Sequence, residues 1–423
     1  MLDIDLAQDL EKDFGISFGQ YMQEWLYGES GYYSRAKSGD EKVGKEGDFY
    51  TAVSVSRFFG GAIARHIIDL LESSEIDLPL VVVEFGAHSG RLLGDIIEFL
   101  EVLSEGVVEK TRFYTIEPLA SLRDLQAQNP RITPLQHIKS LQDLLRQESK
   151  NASKKSVFML SNELFDAFAC EVVRDNHLGF VKNCNDSSVL ARRILWRSDE
   201  EITQEIQRLE SKINLQDFDN KDLMARDFIA QDFIKQDFDT QDFAQGVARI
   251  CLKSKIEYLQ KMLCQKQKLG IKNGEIAVGL EDFIREVCRF ANSQDLIKSW
   301  RFLSFDYGSW QQKEQKAGQN MGQNRITLRG YKSHRALSFE EVCADLSGLF
   351  GVSDLTYEVD FRLIVSLFKQ FGAKLCKKSH LNAALVDFGI DRLLQDFFVF
   401  CQSGKNQKHS NAQNLQNQNP QIL

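Results

Sequence analysis

The chain reads as an α/β protein built on a mostly parallel sheet with helices on both faces. Three observations predict this class: an aliphatic run leading into a glycine turn and a helical pattern at residues 80–97, a second strand-like run at 112–117, and a third at 156–162. Each run ends in acidic or amide side chains. In a doubly wound sheet such ends line the crevice where a ligand binds.

The first run is LVVVEFGAHSGRLLGDII. Leu80 to Val83, bounded by Pro79, is aliphatic throughout, as a strand buried on both faces requires. Glu84 ends it, Gly86 and Gly90 let the backbone bend, and Leu92, Leu93, Ile96, Ile97 and Leu100 recur at helical spacing. Strand, glycine turn and helix N-terminus together make a nucleotide-sized cradle. The glycines at 86, 90 and 94 depart from the dinucleotide pattern G-x-G-x-x-G, so the turn alone is equally an ordinary strand-to-helix connection.

The second run, RFYTIE, completes a βαβ unit. Glu117 at its end is either a solvated strand end or an acceptor for both hydroxyls of a ribose, and the glycine turn upstream favours the ribose. Pro118 stops the strand, and Leu119 to Gln128 read as a helix. The third run, SVFMLSNELFDAFACEVV at 156–173, uses Val157 to Leu160 as a strand and delivers Asn162, Glu163 and Asp166 beyond it. Three residues apart, Glu163 and Asp166 would share one side of a helical turn. Two converging carboxylates suit a cationic substrate, or they cap a helix N-terminus; spacing does not choose between these.

These motifs are similar to those of the MidA-like class I S-adenosylmethionine-dependent methyltransferases. The leader segments SFGQYMQEWLYGESGYYS and KEGDFYTAVSVSRFFGGAIA resemble the family's, including Met22, Gly31, Tyr32, Tyr33, Gly47, Asp48, Phe49, Thr51, Phe59 and Gly60. The family's second-strand pattern is matched by Glu117, Pro118, Leu122, Arg123 and Gln126, and its Asn-Glu-x-x-Asp-Ala motif by Asn162, Glu163, Asp166 and Ala167. FDYG (305–308), TLRGYKSH (327–334) and DLTYEVDF (354–361) follow in family order. The resemblance implies a Rossmann-like sheet with a helical leader and a helical cap insertion, and S-adenosyl-L-methionine as cofactor. Glu84, Gly86, His88, Gly90, Glu117 and Asn162 are the cofactor-binding residues it implies. It also implies methylation of a protein arginine, since mitochondrial members dimethylate an arginine in support of respiratory complex I assembly.

Two departures stand out. His88 occupies the middle of the cradle turn, where the family usually has glycine. A non-glycine held at positive φ costs on the order of 1–3 kcal/mol, although histidine tolerates it better than most. A histidine here can also donate a hydrogen bond to the ligand's carboxylate. Ala169 stands where the family commonly has proline, which is expected to loosen the turn after Asp166.

The sulfonium methyl of such a cofactor is already activated, so the protein's task is to align donor and acceptor. A guanidinium acceptor stays protonated in water and needs a carboxylate to orient it and take a proton. Glu163 is the first candidate, Asp166 the second and Asp48 the third. The competing expectation is a catalytically weak or inactive binding or assembly factor that retains the fold, with His88 obstructing the cofactor.

Composition agrees with a globular enzyme: 43% of the 423 residues are hydrophobic. A net charge of −8 without clustered Lys and Arg argues against a nucleic-acid surface. No apolar run reaches the roughly twenty residues of a membrane span. The acidic start MLDIDLAQDLEKDFG has neither a signal-peptide core nor a transit-peptide pattern, so a bacterial cytoplasmic location is expected. Eight cysteines, none within a dozen positions of another, form no zinc knuckle or redox pair, and no metal is expected. A protein substrate is the expected partner, and a homodimer is compatible with this reading.

The expected organisation is a leader over 1–77 packed on the core, a first core part over 78–198, an insertion over 199–299, a second core part over 300–402, and a disordered Gln/Asn-rich tail over 403–423. Within the insertion, Asp-Phe or Asp-Leu recurs every five residues from Asp217 to Phe243. That period advances about 140° per repeat on a helix and builds no single face, so 214–243 is expected to be a surface loop. Val247 to Leu269 and Leu280 to Leu296 read as helices, either of a cap or of an ordinary core. His66, His137, His177 and His380 have no partner pattern and read as structural or exposed.

Overall fold

A computed structural model describes residues 14–34, 56–104, 106–149, 154–186, 189–212, 240–310 and 325–395. Asp48, nearly all of the Asp-Phe repeat and the tail from Ser403 lie outside the described residues. The chain divides into two compact units, each drawn from three separated stretches. One holds Ala36–Leu164, Glu281–Asp306 and Leu363–Leu423; the other holds Met1–Arg35, Phe165–Leu280 and Tyr307–Arg362. The expected leader therefore contributes to both, its first helix (Phe18–Tyr27) to one and its second (Phe58–Glu72) to the other.

The first unit is a five-stranded parallel sheet. The strands of the sheet and the helices between them are, in chain order, α1 (Phe58–Glu72), β1 (Leu80–Phe85), α2 (Arg91–Leu103), β2 (Thr111–Ile116), α3 (Ala120–Gln126), β3 (Ile132–Leu135), α4 (Ile138–Ser149), β4 (Lys155–Asn162), α5 (Leu280–Ala291) and β5 (Ile297–Phe305); helix Leu381–Asp387 and most of helix Phe361–Gln370 follow in the same unit. The strand order is β5-β4-β1-β2-β3, with every pair parallel. This is the central part of a doubly wound sheet, whose direction of winding switches between β1 and β4. The three aliphatic runs read from sequence are β1, β2 and β4.

Alternation along the strands explains both faces. Leu80 and Val82 of β1 pack with Phe113, Phe158 and Leu160 under α1 and α2. Val81, Val83 and Phe85 pack the opposite way with Tyr114, Val157 and Met159 under α4 and α5. All six residues of β1 are buried, as its near-continuous apolar sequence requires. Leu280–Ala291, through Val287, Phe290 and Ala291, is thus an ordinary core helix of the sheet.

The second unit is mostly antiparallel. Strands Ile16–Ser17, His177–Asp186, Cys170–Arg174 and Gly274–Ala277 lie in that order, with Val189–Arg197 paired to His177–Asp186. Helix Phe18–Tyr27 opens with a capping box between Ser17 and Gln20 and buries Phe18, Tyr21, Met22, Trp25 and Leu26. They pack with Leu328, Phe339, Val342 and Leu355. The helices Asp199–Lys212 and Thr240–Leu269 cover the strands through Ile202, Ile206, Leu209, Ile256, Leu259 and Met262.

Helix α1 meets α2 through small residues. A Cβ built on Gly60 would lie 2.7 Å from Asp95 Cβ and 3.2 Å from the Ile96 backbone nitrogen. Alanine at position 60 would gain up to about 1 kcal/mol of helix propensity, and less in a first turn. Overpacking against backbone costs about 1–3 kcal/mol, so the clash wins. Gly60→Ala is expected to destabilise the protein by about 1–2 kcal/mol, read as a lowered denaturant midpoint; a raised midpoint would show that the helices separate freely.

Candidate functional site

The carboxyl ends of β1, β2 and β4 carry the predicted cofactor residues, all within the parallel-sheet unit. After Phe85 the chain turns through Gly86, at φ 66°, and His88, at φ 47°, and reaches Gly90, at φ 76°, which caps α2. The Gly86 N–H donates to Ile116 O at 3.1 Å, tying the turn to the end of β2. A Cβ on Gly86 would meet Leu164 Cδ1 at 2.8 Å, so both φ and packing demand glycine there. Gly90 donates to Ala87 O at 2.7 Å and accepts from Gly94 N–H at 3.0 Å, closing the turn and opening the helix. His88 thus adopts the left-handed conformation that its place in the motif predicts, without glycine's freedom.

A buried glutamine supports this turn. Gln126, at the end of α3, is 1% exposed. Its Nε2 donates to His88 O at 2.8 Å, and its Oε1 accepts from Thr115 Oγ1 at 2.5 Å. Sequence reading placed Gln126 in a family motif but gave it no role. The signal available was weak: a polar residue in phase with Leu122 on the inward side of a short helix.

Two carboxyl groups sit beside the turn. Glu84, the fifth residue of β1, pairs in register with Thr115 of β2 and points to the α1/α2 face. The strand continues one residue beyond it to Phe85, so Glu84 lies inside the sheet instead of ending it. It is 3% exposed, and its Oε2 has no hydrogen-bond partner among the described residues. Burial pushes its carboxyl up to about 8; the Leu93 backbone hydrogen bond opposes this, and nearby Glu117 adds to it. Glu117 follows β2, donates its N–H to Leu135 O at 2.9 Å, and accepts from Leu119 N–H at 3.1 Å on Oε1. It is 5% exposed, so the solvated-strand-end alternative does not hold. Burial raises it to about 7 against hydrogen bonds from Leu119 and Gln126 and the charge of Arg123. Arg123 also donates to the carbonyls of Glu117 and Pro118 at 2.8 and 2.6 Å, fixing the chain direction after the strand.

Asn162 ends β4, and its Nδ2 donates to Glu163 Oε1 at 3.4 Å. Glu163 takes φ 50°, and its N–H donates to Phe305 O at 2.8 Å, extending the β4–β5 pairing by one residue. Residues 163–169 form no helix, so the expected common side of a helical turn for Glu163 and Asp166 does not exist. A left-handed residue at the strand end redirects the chain before a turn can start. Asp166 belongs to the other unit, where Thr356 Oγ1 donates to its Oδ2 at 2.8 Å. It is 8% exposed, and burial raises it to about 6 against the Thr356 hydrogen bond and the Arg329 charge. The turn after it is anchored in spite of alanine at 169: Ala169 is buried, and its carbonyl accepts from Val278 N–H at 2.7 Å.

In that second unit sequence reading missed two buried acids. Glu171 accepts from Ser17 Oγ at 2.6 Å, from Gly19 N–H at 3.1 Å and from the Tyr258 hydroxyl. Glu275 accepts from the backbone of Leu328 at 2.8 Å and of Thr327. Both satisfy backbone or hydroxyl donors and tie segments together. Among the described residues no group of His, Cys, Asp and Glu could hold a metal ion, and no helix is long and apolar enough to cross a membrane.

A parallel sheet with this strand order, a left-handed glycine turn and an acid after the second strand is the arrangement on which doubly wound folds bind nucleotide-type ligands. Residues 62–377 match the profile of a family described as "Putative S-adenosyl-L-methionine-dependent methyltransferase", and the chain belongs to that family. S-adenosylmethionine is the cofactor of this class of enzyme, a class I methyltransferase in fold. Two crystal structures from Burkholderia thailandensis share the fold. One, of a "likely methyl transferase" bound to S-adenosyl-homocysteine, is 19% identical with a TM-score of 0.57, over 93% of this chain and 82% of that one. The other, a native structure of an uncharacterised protein of the same superfamily, is 20% identical with a TM-score of 0.54 over the same shares. No curated protein matches the chain. The residues present fit the cofactor: buried carboxyl oxygens at the strand ends suit a ligand rich in hydroxyl and cationic donors.

The buried glutamates make stability depend on pH. Both Glu84 and Glu117 are raised above the ordinary glutamate value of 4.5, so the folded state holds more protons than the unfolded state between that value and about 8. Stability contributed by the protonated forms is complete at low pH and is lost as pH rises through about 7 and 8. Other raised acids, Asp166 and Glu275 among them, share this trend, so the comparison with a variant isolates Glu84. The melting temperature of ligand-free protein is expected to fall less from pH 6 to pH 9 in Glu84→Gln than in wild type. Parallel slopes would place the titration elsewhere.

Proposed function

We propose that this methyltransferase modifies an arginine of a partner protein in a bacterial cytoplasm, with S-adenosylmethionine held by Glu84, Gly86, His88, Gly90, Glu117 and Asn162. When bound, the cofactor supplies a methyl already activated on a sulfonium. The residues of the chain then have three tasks: to hold the ligand, to bring the acceptor into line, and to take its proton. Glu117, at the end of β2, is placed to accept the ribose hydroxyls. His88 and the start of α2 line the turn beside it.

The observation that carries the acceptor assignment is the conformation of Glu163. A glutamate at φ 50°, following β4 and pinned by its backbone to Phe305 O at the end of β5, is a sparsely populated conformation for its type. Such strain gathers where a side chain has to be presented in one direction. A carboxylate there pairs with a guanidinium and accepts its proton as the new bond forms. Asp166, held by Thr356, keeps the following segment in place. The resemblance to the MidA-like enzymes supports the choice of a protein arginine over a small molecule.

Two measurements test this reading. Glu117→Ala should lose hydrogen bonds worth about 1.5–3 kcal/mol each for a charged acceptor. S-adenosyl-homocysteine affinity is then expected to fall about tenfold to a hundredfold by calorimetric titration, at about 1.4 kcal/mol per decade. Unchanged affinity in a folded variant would remove Glu117 from the site. Glu163→Gln keeps size and hydrogen bonding but not charge. It should bind S-adenosylmethionine nearly as wild type does while transferring methyl groups at least about a hundredfold more slowly in single turnovers. An acceptor is first identified by intact-mass shifts of lysate proteins incubated with enzyme and cofactor. Full activity in Glu163→Gln would move the acceptor role off this residue.

A further inference from the structure

We propose that Gln126 is a positioning residue that holds the cradle turn in shape with histidine, instead of glycine, at its centre, and through that turn sets cofactor affinity. The inference rests on the cofactor site described above. Its starting point is a conflict between sequence and conformation. His88 sits at φ 47°, a region that glycine enters without strain and that a residue with a Cβ leaves unless its surroundings hold it. Gln126 provides that hold. The carbonyl of His88 itself accepts a 2.8 Å hydrogen bond from Gln126 Nε2.

Three features make this amide a clamp. Its other end is fixed: Oε1 accepts from Thr115 Oγ1 at 2.5 Å, and Thr115 is fully buried in β2 opposite Glu84. The donor and acceptor ends are therefore determined, since a hydroxyl must donate to the oxygen and a carbonyl can only receive from the nitrogen. Second, Gln126 packs against the next left-handed residue. A Cβ on Gly90 would lie 3.2 Å from Gln126 Cγ, so the turn and the side chain are fitted to each other. Third, the same side chain lies beside Glu117, the acid assigned to the ribose, and favours its charged form. One amide thus links the turn to the second strand beside the acid, from a buried position.

Release of the clamp has a specific consequence. Without the bond to His88 O, the strained turn relaxes toward ordinary φ and the cradle loses its shape. With glycine at 88 there is no strain to release, and the turn keeps its form without help. A residue that merely fills space would matter equally in both backgrounds.

A double-mutant cycle separates the two. Gln126→Met keeps volume and removes the polar ends; Thr115→Val removes the anchor and keeps shape. S-adenosyl-homocysteine affinity is measured by calorimetry in wild type, in Gln126→Met, in His88→Gly and in the double variant. The expected result is a loss of about tenfold for Gln126→Met with His88 present, a smaller loss in the same direction for Thr115→Val, and a loss of about twofold or less for Gln126→Met with glycine at 88. Equal losses in both backgrounds, or none in either, would overturn the proposal. Amide hydrogen exchange of residues 86–90 in ligand-free protein gives a readout independent of the cofactor. Exchange there should quicken in Gln126→Met and return toward the wild-type rate in the double variant; no change in Gln126→Met would overturn the clamp. If wild type fails to bind S-adenosyl-homocysteine while exchange behaves as expected, the cofactor assignment is the part that fails.

Discussion

A strand with water on neither side has nowhere to put a polar group except at its ends, and β1 imposes that constraint on the parallel-sheet unit. Its six side chains are buried on two faces, so helices must cover both. Parallel pairing with β2 and β4 then aligns the three carboxyl ends within a residue or two. The candidate ligand groups described in the unit gather there: the turn through His88, the acid after β2, the amide that ends β4 and the acid that follows it. The apolar runs and the ligand site are consequences of the same pairing.

Glu84 is the one violation of that rule, an acid inside the strand. Its cost is expressed in the raised carboxyl and in the unmatched Oε2. Glu84 Oε2 has no hydrogen-bond partner among the described residues, and the neighbouring Glu117 adds to the rise of its carboxyl. A ligand that brings donors to the strand ends would relieve both groups together. Acids buried for folding alone look different. Glu171 is equally buried yet accepts from Ser17, Gly19 and Tyr258.

How much of this was legible in the sequence follows the range of the interactions involved. Leu80–Phe85, Phe113–Ile116 and Val157–Leu160 declare themselves because a doubly buried strand is apolar at nearly every position. The left-handed turn is legible because glycines at 86 and 90 bracket it, and the strand-end acid Glu117 because its position after β2 follows from the same pattern. Gln126 was not legible as a support: its role depends on the rotation of α3 that aims it at His88, 38 residues away. Asp166 misled because its partner Thr356 lies 190 residues on, and three-residue spacing carries helical meaning only where a helix forms. Cys170–Arg174 and Gly274–Ala277 placed acids inside a sheet, and nothing local distinguishes Glu171 or Glu275 from outward-facing strand residues.

The helix at Phe18–Tyr27 has a consequence for the order of events during synthesis. Tyr21 donates to Leu346 O and Trp25 to Ser353 O, spans of 325 and 328 residues, while Ser17 reaches Glu171 across 154. Among the first described segments to leave the ribosome, it is among the last to find its partners. The strands and helices from Leu80 to Asn162 complete four of the five strands of the parallel sheet long before then. A nascent chain therefore carries an apolar helix of aromatic residues exposed through most of translation, and loop closure over such a span is slow relative to local pairing. Chaperone dependence of this protein would be concentrated at this helix.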